Sequence, residues 1–367
     1  VLPEQLSFKT GLKTLVVKVG TKMIVNEDGS PNHTKFNQLV QNLYTLRQAQ
    51  LNVVLVTSGA VGMGMSVLGF NARPRILSQK QACAAVGQIL LMHLYAEKFQ
   101  KYNQPVAQVL LSGEDFRNRE RFFNIRATLE ALFLRGVIPI INENDTISTE
   151  EIKVGDNDKL SSDVAHFLEA DLLILLSDEK GLYDKNPKLH KDAQLLSVVE
   201  RVTPAIEKLG GGAGSSRSVG GMKAKLRAIR QATEAGTPVL LTNDSKTSFL
   251  SFLEGARSGT LFLPNEKKLK GPSRWLAFVA KPQGKILLDT GGVQALQTRN
   301  SSLLAIGIKG LTGKFDAGAV VDLTDPKGRV VGRGKTSYSS QEIKIIMGRK
   351  SVEIPDVLGR SGPGEVI

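Results

Sequence analysis

An α/β fold, with a mostly parallel sheet sandwiched by helices and a small β-rich C-terminal domain, is what this sequence predicts. Three observations carry the prediction. Short, nearly continuous apolar runs recur through positions 1–265. Segments with helical apolar spacing separate them. Beyond position 274 the texture changes to brief β-like runs broken by Gly, Pro and Asp.

The strands come first. Leu15–Val19, Val53–Val56, Val106–Leu111, Val137–Ile141, Leu172–Leu176 and Val239–Leu241 are short and rich in β-branched residues. Runs without polar alternation suit strands buried on both faces, as in parallel sheets. The intervening helices are expected over Phe36–Gln48, Ser78–Gln100, Arg119–Leu134, Leu160–Leu168 and Met222–Glu234. Residues 1–265 therefore form one domain. Residues 266–274, polar, lysine-rich and containing Pro272, read as a linker. Residues 275–367 form the second domain, with β-like runs at Trp275–Val279, Lys285–Leu288, Ala319–Leu323, Val330–Val331 and Ile343–Met347. There is no internal repeat.

The 367 residues are 41% hydrophobic and 23% charged, an ordinary balance for a globular chain. The single cysteine, Cys83, excludes an intrachain disulfide and fits a reducing compartment. It lies in an apolar stretch and reads as core rather than nucleophile. No apolar run approaches the roughly 18 residues of a membrane span, and VLPEQLSFKTGLK has no signal-peptide core. The expectation is a cytoplasmic protein with no membrane partner. The net charge of +13 suits anionic partners such as nucleotides or nucleic acid, or simply solubility.

Ligands of open α/β sheets bind beyond the carboxyl ends of the strands, and polar clusters follow the strands here. Lys18-Val19-Gly20-Thr21 closes the first: a lysine that can face phosphate, with a possible backbone nest at Gly20. Thr57-Ser58-Gly59-Ala60 follows the second, either a tight turn or a helix start that receives a carboxylate or phosphate. Asn142-Glu143-Asn144-Asp145 follows the fourth, and Gly155-Asp156-Asn157-Asp158 comes soon after. Such acids and amides can hold an ammonium group, order catalytic lysines, or bind Mg²⁺ or Ca²⁺. Ser177-Asp178 follows the fifth strand. The glycine-rich stretch from Gly210 to Met222 opens a helix carrying Lys223 and Lys225, a phosphate cradle or a surface loop.

Several motifs fail. GDNDKLSSD lacks the glycine and terminal Glu of an EF-hand. Gly334-Lys335-Thr336 has Arg329 where a P-loop needs glycine, and no G-x-G-x-x-G follows the first strand. His33, His93, His166 and His190 have no ligand spacing.

Taken together, VVKVGT, VTSGAV, PIINENDTIS, EIKVGDNDKLS, LLSDEKGLYDKNP and GGMKAK resemble the glutamate 5-kinase family, in that family's order. The stretch SSLLAIGIKGLTGKF resembles its C-terminal PUA domain, an RNA-binding type of module. The resemblance implies ATP and Mg²⁺ as cofactors and L-glutamate as substrate, phosphorylated on its side chain. It implies Lys18 and Lys225 flanking the moving phosphoryl group, with Asp158 orienting both. It implies glutamate at Ser58, Gly59, Asp145 and Asn157. ATP would lie at Lys18, Ser177, Asp178 and the stretch Val219, Gly220, Gly221, Met222, Lys223, Ala224 and Lys225. Proline is implied as inhibitor, and a homodimer or homotetramer as the assembly. Val219 stands where relatives often carry Thr, so a phosphate contact there must come from backbone or Ser218. Another amino-acid kinase is one rival. An RNA-binding protein is the other, although the C-terminal region offers only Trp275, Phe278, Phe315 and Tyr338 for stacking on bases.

Overall fold

The computed structural model describes residues 11–147, 156–211, 219–255, 258–265, 282–299 and 302–367. Backbone packing separates two compact units, Val1–Leu269 and Lys270–Ile367. The proposed linker, the run Trp275–Val279, Gly155 and positions 212–218 lie outside the described residues.

In the first unit the chain alternates strand and helix. Its elements are β1 (Thr14–Val19), α1 (His33–Gln48), β2 (Asn52–Val56), α2 (Ala60–Val67), α3 (Leu77–Gln100), β3 (Val106–Leu111), α4 (Gly113–Arg117), α5 (Arg119–Leu134) and β4 (Ile138–Glu143). There follow α6 (Asp156–Phe167), β5 (Leu172–Leu176), β6 (Val198–Val199), α7 (Pro204–Leu209), α8 (Val219–Glu234), β7 (Val239–Thr242), α9 (Phe249–Leu253) and β8 (Thr260–Phe262). The sheet runs β3-β4-β2-β1-β5-β7-β8-β6. Strands β3 through β7 in that order are all parallel, whereas β8 pairs antiparallel with β7 and β6 runs with β8. The mostly parallel sheet expected from the apolar runs is present, and the two short strands β8 and β6 extend it beyond β7.

Period-two alternation on β1 decides where the chemistry goes. Leu15, Val17 and Val19 face the core shared by Phe36 and Leu43 of α1 and Leu91 and Tyr95 of α3. Val16 and Lys18 take the opposite face, where α6 packs on β1 and against α8. Strand ends are tied across the sheet by Gly20 N–H to the Leu176 carbonyl (3.0 Å), Thr57 N–H to Ile141 (2.9 Å) and Ser177 N–H to Thr242 (2.9 Å). The Gly20 amide is thus committed to the sheet, so Gly20 itself is no part of an anion nest there. Gly59 has φ +109°, a left-handed value that lets β2 turn straight into α2.

The second unit holds β9 (Gly284–Leu288), α10 (Thr290–Arg299), β10 (Ile308–Thr312), β11 (Val320–Thr324), β12 (Val330–Lys335), α11 (Ser340–Ile346) and α12 (Ile354–Leu358). Its sheet runs β10-β9-β11-β12 over a core that includes Ile286, Val321, Leu323 and Ile343. The β-like run expected at Ile343–Met347 is instead the end of helix α11. The Ser339 hydroxyl accepts from the Glu342 N–H at 3.3 Å, and the Glu342 carboxylate accepts from the Ser339 N–H at 2.8 Å. This capping box starts a helix whose Ile343 and Ile346, three residues apart, share one buried face. Phe315 and Tyr338 are buried, so neither is exposed for stacking on a base.

Candidate active site

Three charged side chains converge beyond the carboxyl end of β1. Lys18 Nζ lies 2.5 Å from Asp158 Oδ1, and Lys225 Nζ lies 3.5 Å from Asp158 Oδ2. All three side chains are at least 86% shielded from water, the exposures being 7%, 4% and 14% for Lys18, Asp158 and Lys225. The Lys18 contact is close charge pairing whose angles are not those of an aligned hydrogen bond. Burial pushes the Lys18 ammonium below the ordinary lysine value, and the Lys225 charge adds to this, while Asp158 opposes both.

Local structure explains the convergence. Asp158 and Asn157 are neighbours in the first turn of α6, where negative charge is favoured by the helix dipole. Successive helical residues point about 100° apart, so Asp158 turns to the lysines while Asn157 turns to the β2 end. Asn157 Nδ2 donates to Ser58 Oγ at 3.0 Å and to Asn142 Oδ1 at 3.1 Å. Asn157 Oδ1 is buried and has no hydrogen-bond partner among the described residues. Lys225 arrives from α8 because α6 and α8 lie side by side.

Asp145 sits in a single 3-10 turn after β4. Burial lifts its carboxyl above the usual aspartate value, against the opposing charge of Arg73. Ser177 Oγ donates to Asp178 Oδ1 at 3.2 Å, and Lys22 Nζ donates to Asp178 Oδ2 at 2.8 Å. Burial works to raise the Asp178 carboxyl, but the Lys22 hydrogen bond and charge outweigh it and hold the group low. A cavity of about 910 Å³ opens beyond β5 and β7, with Lys35, Asp178, Lys180 and Lys246 in its lining.

The structure therefore brings Lys18, Lys225 and Asp158 into one cluster and Ser58 and Asn157 into another, the two joined through adjacent residues of α6. Gly59 begins α2 beside them. Gly221, Met222, Ala224 and Lys225 lie in the first turns of α8, and Lys223 faces solvent. Val219 and Gly220 start the same helix, and Ser218 is outside the described residues. Two further groups were not singled out from sequence. Gln88 of α3 accepts from Asn142, the buried β4 amide that also meets Asn157. Lys22 follows Lys18 by four residues and pairs with Asp178. Among the described residues, no three His, Cys, Asp or Glu side chains are grouped so as to hold a metal ion, and no helix is long and apolar enough to cross a membrane.

Comparison with known proteins gives matching results at two scales. Residues 13–243 match the model of the amino acid kinase family, and residues 284–358 match that of the PUA domain. A glutamate 5-kinase of Moorella thermoacetica is 45% identical over 356 residues, covering 97% of this chain and 94% of that protein. One from Deinococcus radiodurans is 45% identical over 347 residues, 94% and 95% of the two chains. One from Dictyoglomus thermophilum is 42% identical over 357 residues, 97% and 95% of the two. Among solved structures, the UMP kinase of Bacillus anthracis overlays 70% of this chain and 98% of its own at 13% identity, with a TM-score of 0.49.

Proposed function

This chain belongs to the glutamate 5-kinase branch of the amino acid kinase family, and we propose that it transfers the γ-phosphoryl group of ATP to the side-chain carboxylate of L-glutamate. The products are ADP and L-glutamyl 5-phosphate, the opening step of proline synthesis. The observation that supports this most is the buried Lys18–Asp158–Lys225 cluster, with the neighbouring Asn157 Oδ1 unpaired among the described residues.

The chemistry needs no strong base. A glutamate side chain, with an unperturbed pKa of about 4.3, is already a carboxylate at neutral pH. One of its oxygens attacks the γ-phosphorus while the bond to the ADP oxygen breaks. The obstacle is the approach of two anions, and positioned cations remove it. In our reading Lys18 and Lys225 flank the group in transfer, and Asp158 holds their ammonium groups in place. Ser58, Gly59, Asp145 and Asn157 hold the amino acid, with the acidic and carbonyl oxygens directed at its ammonium. Ser177, Asp178 and the start of α8 from Val219 to Lys225 hold the nucleotide. Mg²⁺, supplied with ATP, would neutralise part of the phosphate charge beside Lys18 and Lys225. Asp158 is engaged by two ammonium groups, which suits lysine orientation better than a divalent-cation cage.

Proline, with its own ammonium and carboxylate, fits the same amino-acid pocket as a feedback inhibitor. A homodimer or homotetramer built through the kinase unit and a cytoplasmic setting belong to the same reading. The PUA-type unit supports an added contact with RNA, which a salt-dependent affinity for structured RNA would reveal.

The test is trapping of the acyl phosphate with hydroxylamine. Hydroxamate that requires ATP, Mg²⁺ and glutamate together, and that proline suppresses, supports the proposal. Hydroxamate from aspartate but not glutamate would move the chain to another substrate.

A further inference from the structure

The amide of Asn142 lies beside a group of known polarity. The backbone N–H of Glu143 can only donate, and it meets Asn142 Oδ1 at 3.0 Å. That contact assigns the amide: oxygen on this side, nitrogen on the other. Asn142 Nδ2 accordingly donates to Gln88 Oε1 at 2.8 Å. Asn142 Oδ1 takes a second hydrogen bond, from Asn157 Nδ2 at 3.1 Å, and the same nitrogen donates to Ser58 Oγ at 3.0 Å. The orientation of Asn157 is thereby set as well. What remains is Asn157 Oδ1, an acceptor buried at the site with no hydrogen-bond partner among the described residues.

We propose that Gln88, on α3 and outside every sequence cluster that marks the site, is a positioning residue. It accepts from Asn142 and so locks the Asn142–Asn157 amide chain with an acceptor, never a donor, presented to the ligand. The inference rests on the reading of glutamate as substrate and deepens it: the chain of amides selects for a ligand carrying an ammonium group. A dicarboxylate of the same length without the ammonium, such as glutarate, leaves Asn157 Oδ1 unpaired and is rejected for that reason.

Without an acceptor at position 88, Asn142 Nδ2 loses its partner, and the chain of amides is free to shift or turn. Substrate positioning suffers, whereas the lysines and the nucleotide contacts do not depend on it.

The experiment is steady-state kinetics of Gln88→Met and Gln88→Glu, with L-glutamate and glutarate as acceptors and thermal melting as a control. Gln88→Met keeps the length and removes the acceptor. We expect its KM for glutamate to rise ~5–10-fold, its preference for glutamate over glutarate to shrink, and kcat and the KM for ATP to stay within about twofold. Gln88→Glu retains an acceptor and restores the glutamate KM. If Gln88→Met folds poorly, Gln88→Ala takes its place with the same expectation. An unchanged glutamate KM in Gln88→Met (or in Gln88→Ala where it replaces it), or equal losses in Gln88→Glu and Gln88→Met, overturns the positioning role. A wild-type enzyme that phosphorylates no glutamate at all overturns the substrate reading itself, and is told apart by its failure before any substitution.

Discussion

The Lys18 ammonium lies 2.5 Å from Asp158 Oδ1 in a pocket where the two side chains are 7% and 4% exposed. A lysine so desolvated would drift toward its neutral form, and one carboxylate facing it opposes that drift. The same carboxylate reaches Lys225 from its other oxygen. One acid thus faces both ammonium groups and holds them close together, leaving a net positive cluster where an anionic phosphoryl group would pass.

Lys18→Ala and Lys225→Ala should each lower kcat by ~10²–10³-fold, the usual size for loss of a preorganised electrostatic contact. The KM for glutamate should move only modestly. Initial-rate kinetics decide it, and near-wild-type turnover in either variant removes that residue from the mechanism.

The alkaline side of the kcat–pH profile reports the lysine cluster. Burial lowers the Lys18 pKa first, and the Lys225 charge lowers it further. Activity that needs the ammonium should therefore fall at a pH below the ordinary lysine range. Asp158→Asn removes the opposing charge and should move that limb to still lower pH. Lys225→Ala should move what activity remains in the other direction.

Asp145 predicts an effect at the acid end. Its carboxyl is raised by burial, so it protonates at a higher pH than an exposed aspartate. Protonation removes the charge that would hold an ammonium. The KM for glutamate should rise on acidification beginning above the ordinary aspartate range, and Asp145→Asn should have a high KM with that dependence gone.

Stability should be most sensitive where α2 meets α3. A Cβ at Gly87 would overlap the Ala60 carbonyl oxygen, and one at Gly64 would overlap that of Cys83. Both obstacles are backbone, which cannot rotate away. Gly87→Ala should destabilise the kinase unit by about 1–3 kcal/mol, read from the denaturation midpoint. Because α2 starts at the Ser58–Gly59 turn, glutamate binding should weaken with it.

Much of this site was legible because its residues follow buried strands directly. Lys18, Ser58 and Ser177 each come at or just past the end of a run of apolar residues, where a parallel sheet opens to ligands. Asp158 and Asn157 stood out as acids and amides too dense for packing. Gln88 carried no such signal: it lies in the middle of a long helix, 54 residues from the Asn142 it contacts. Lys22 looks like any surface lysine until its partner is seen. Strands β6 and β8 are two and three residues long, too short to show a period. The isoleucines of α11 suggested a strand because β-branched residues favour one, and the capping box at Ser339 overrode them.

The central claim is that the glutamate side-chain carboxylate attacks phosphorus. It is tested most directly with L-glutamate labelled with heavy oxygen in that carboxylate. When glutamyl phosphate cyclises, the amine attacks the acyl carbon and expels phosphate together with the bridging oxygen. The account predicts inorganic phosphate carrying one heavy oxygen, formed only when ATP and glutamate are both present. Unlabelled phosphate at the same rate would mean that water, not glutamate, takes the phosphoryl group, and would contradict it.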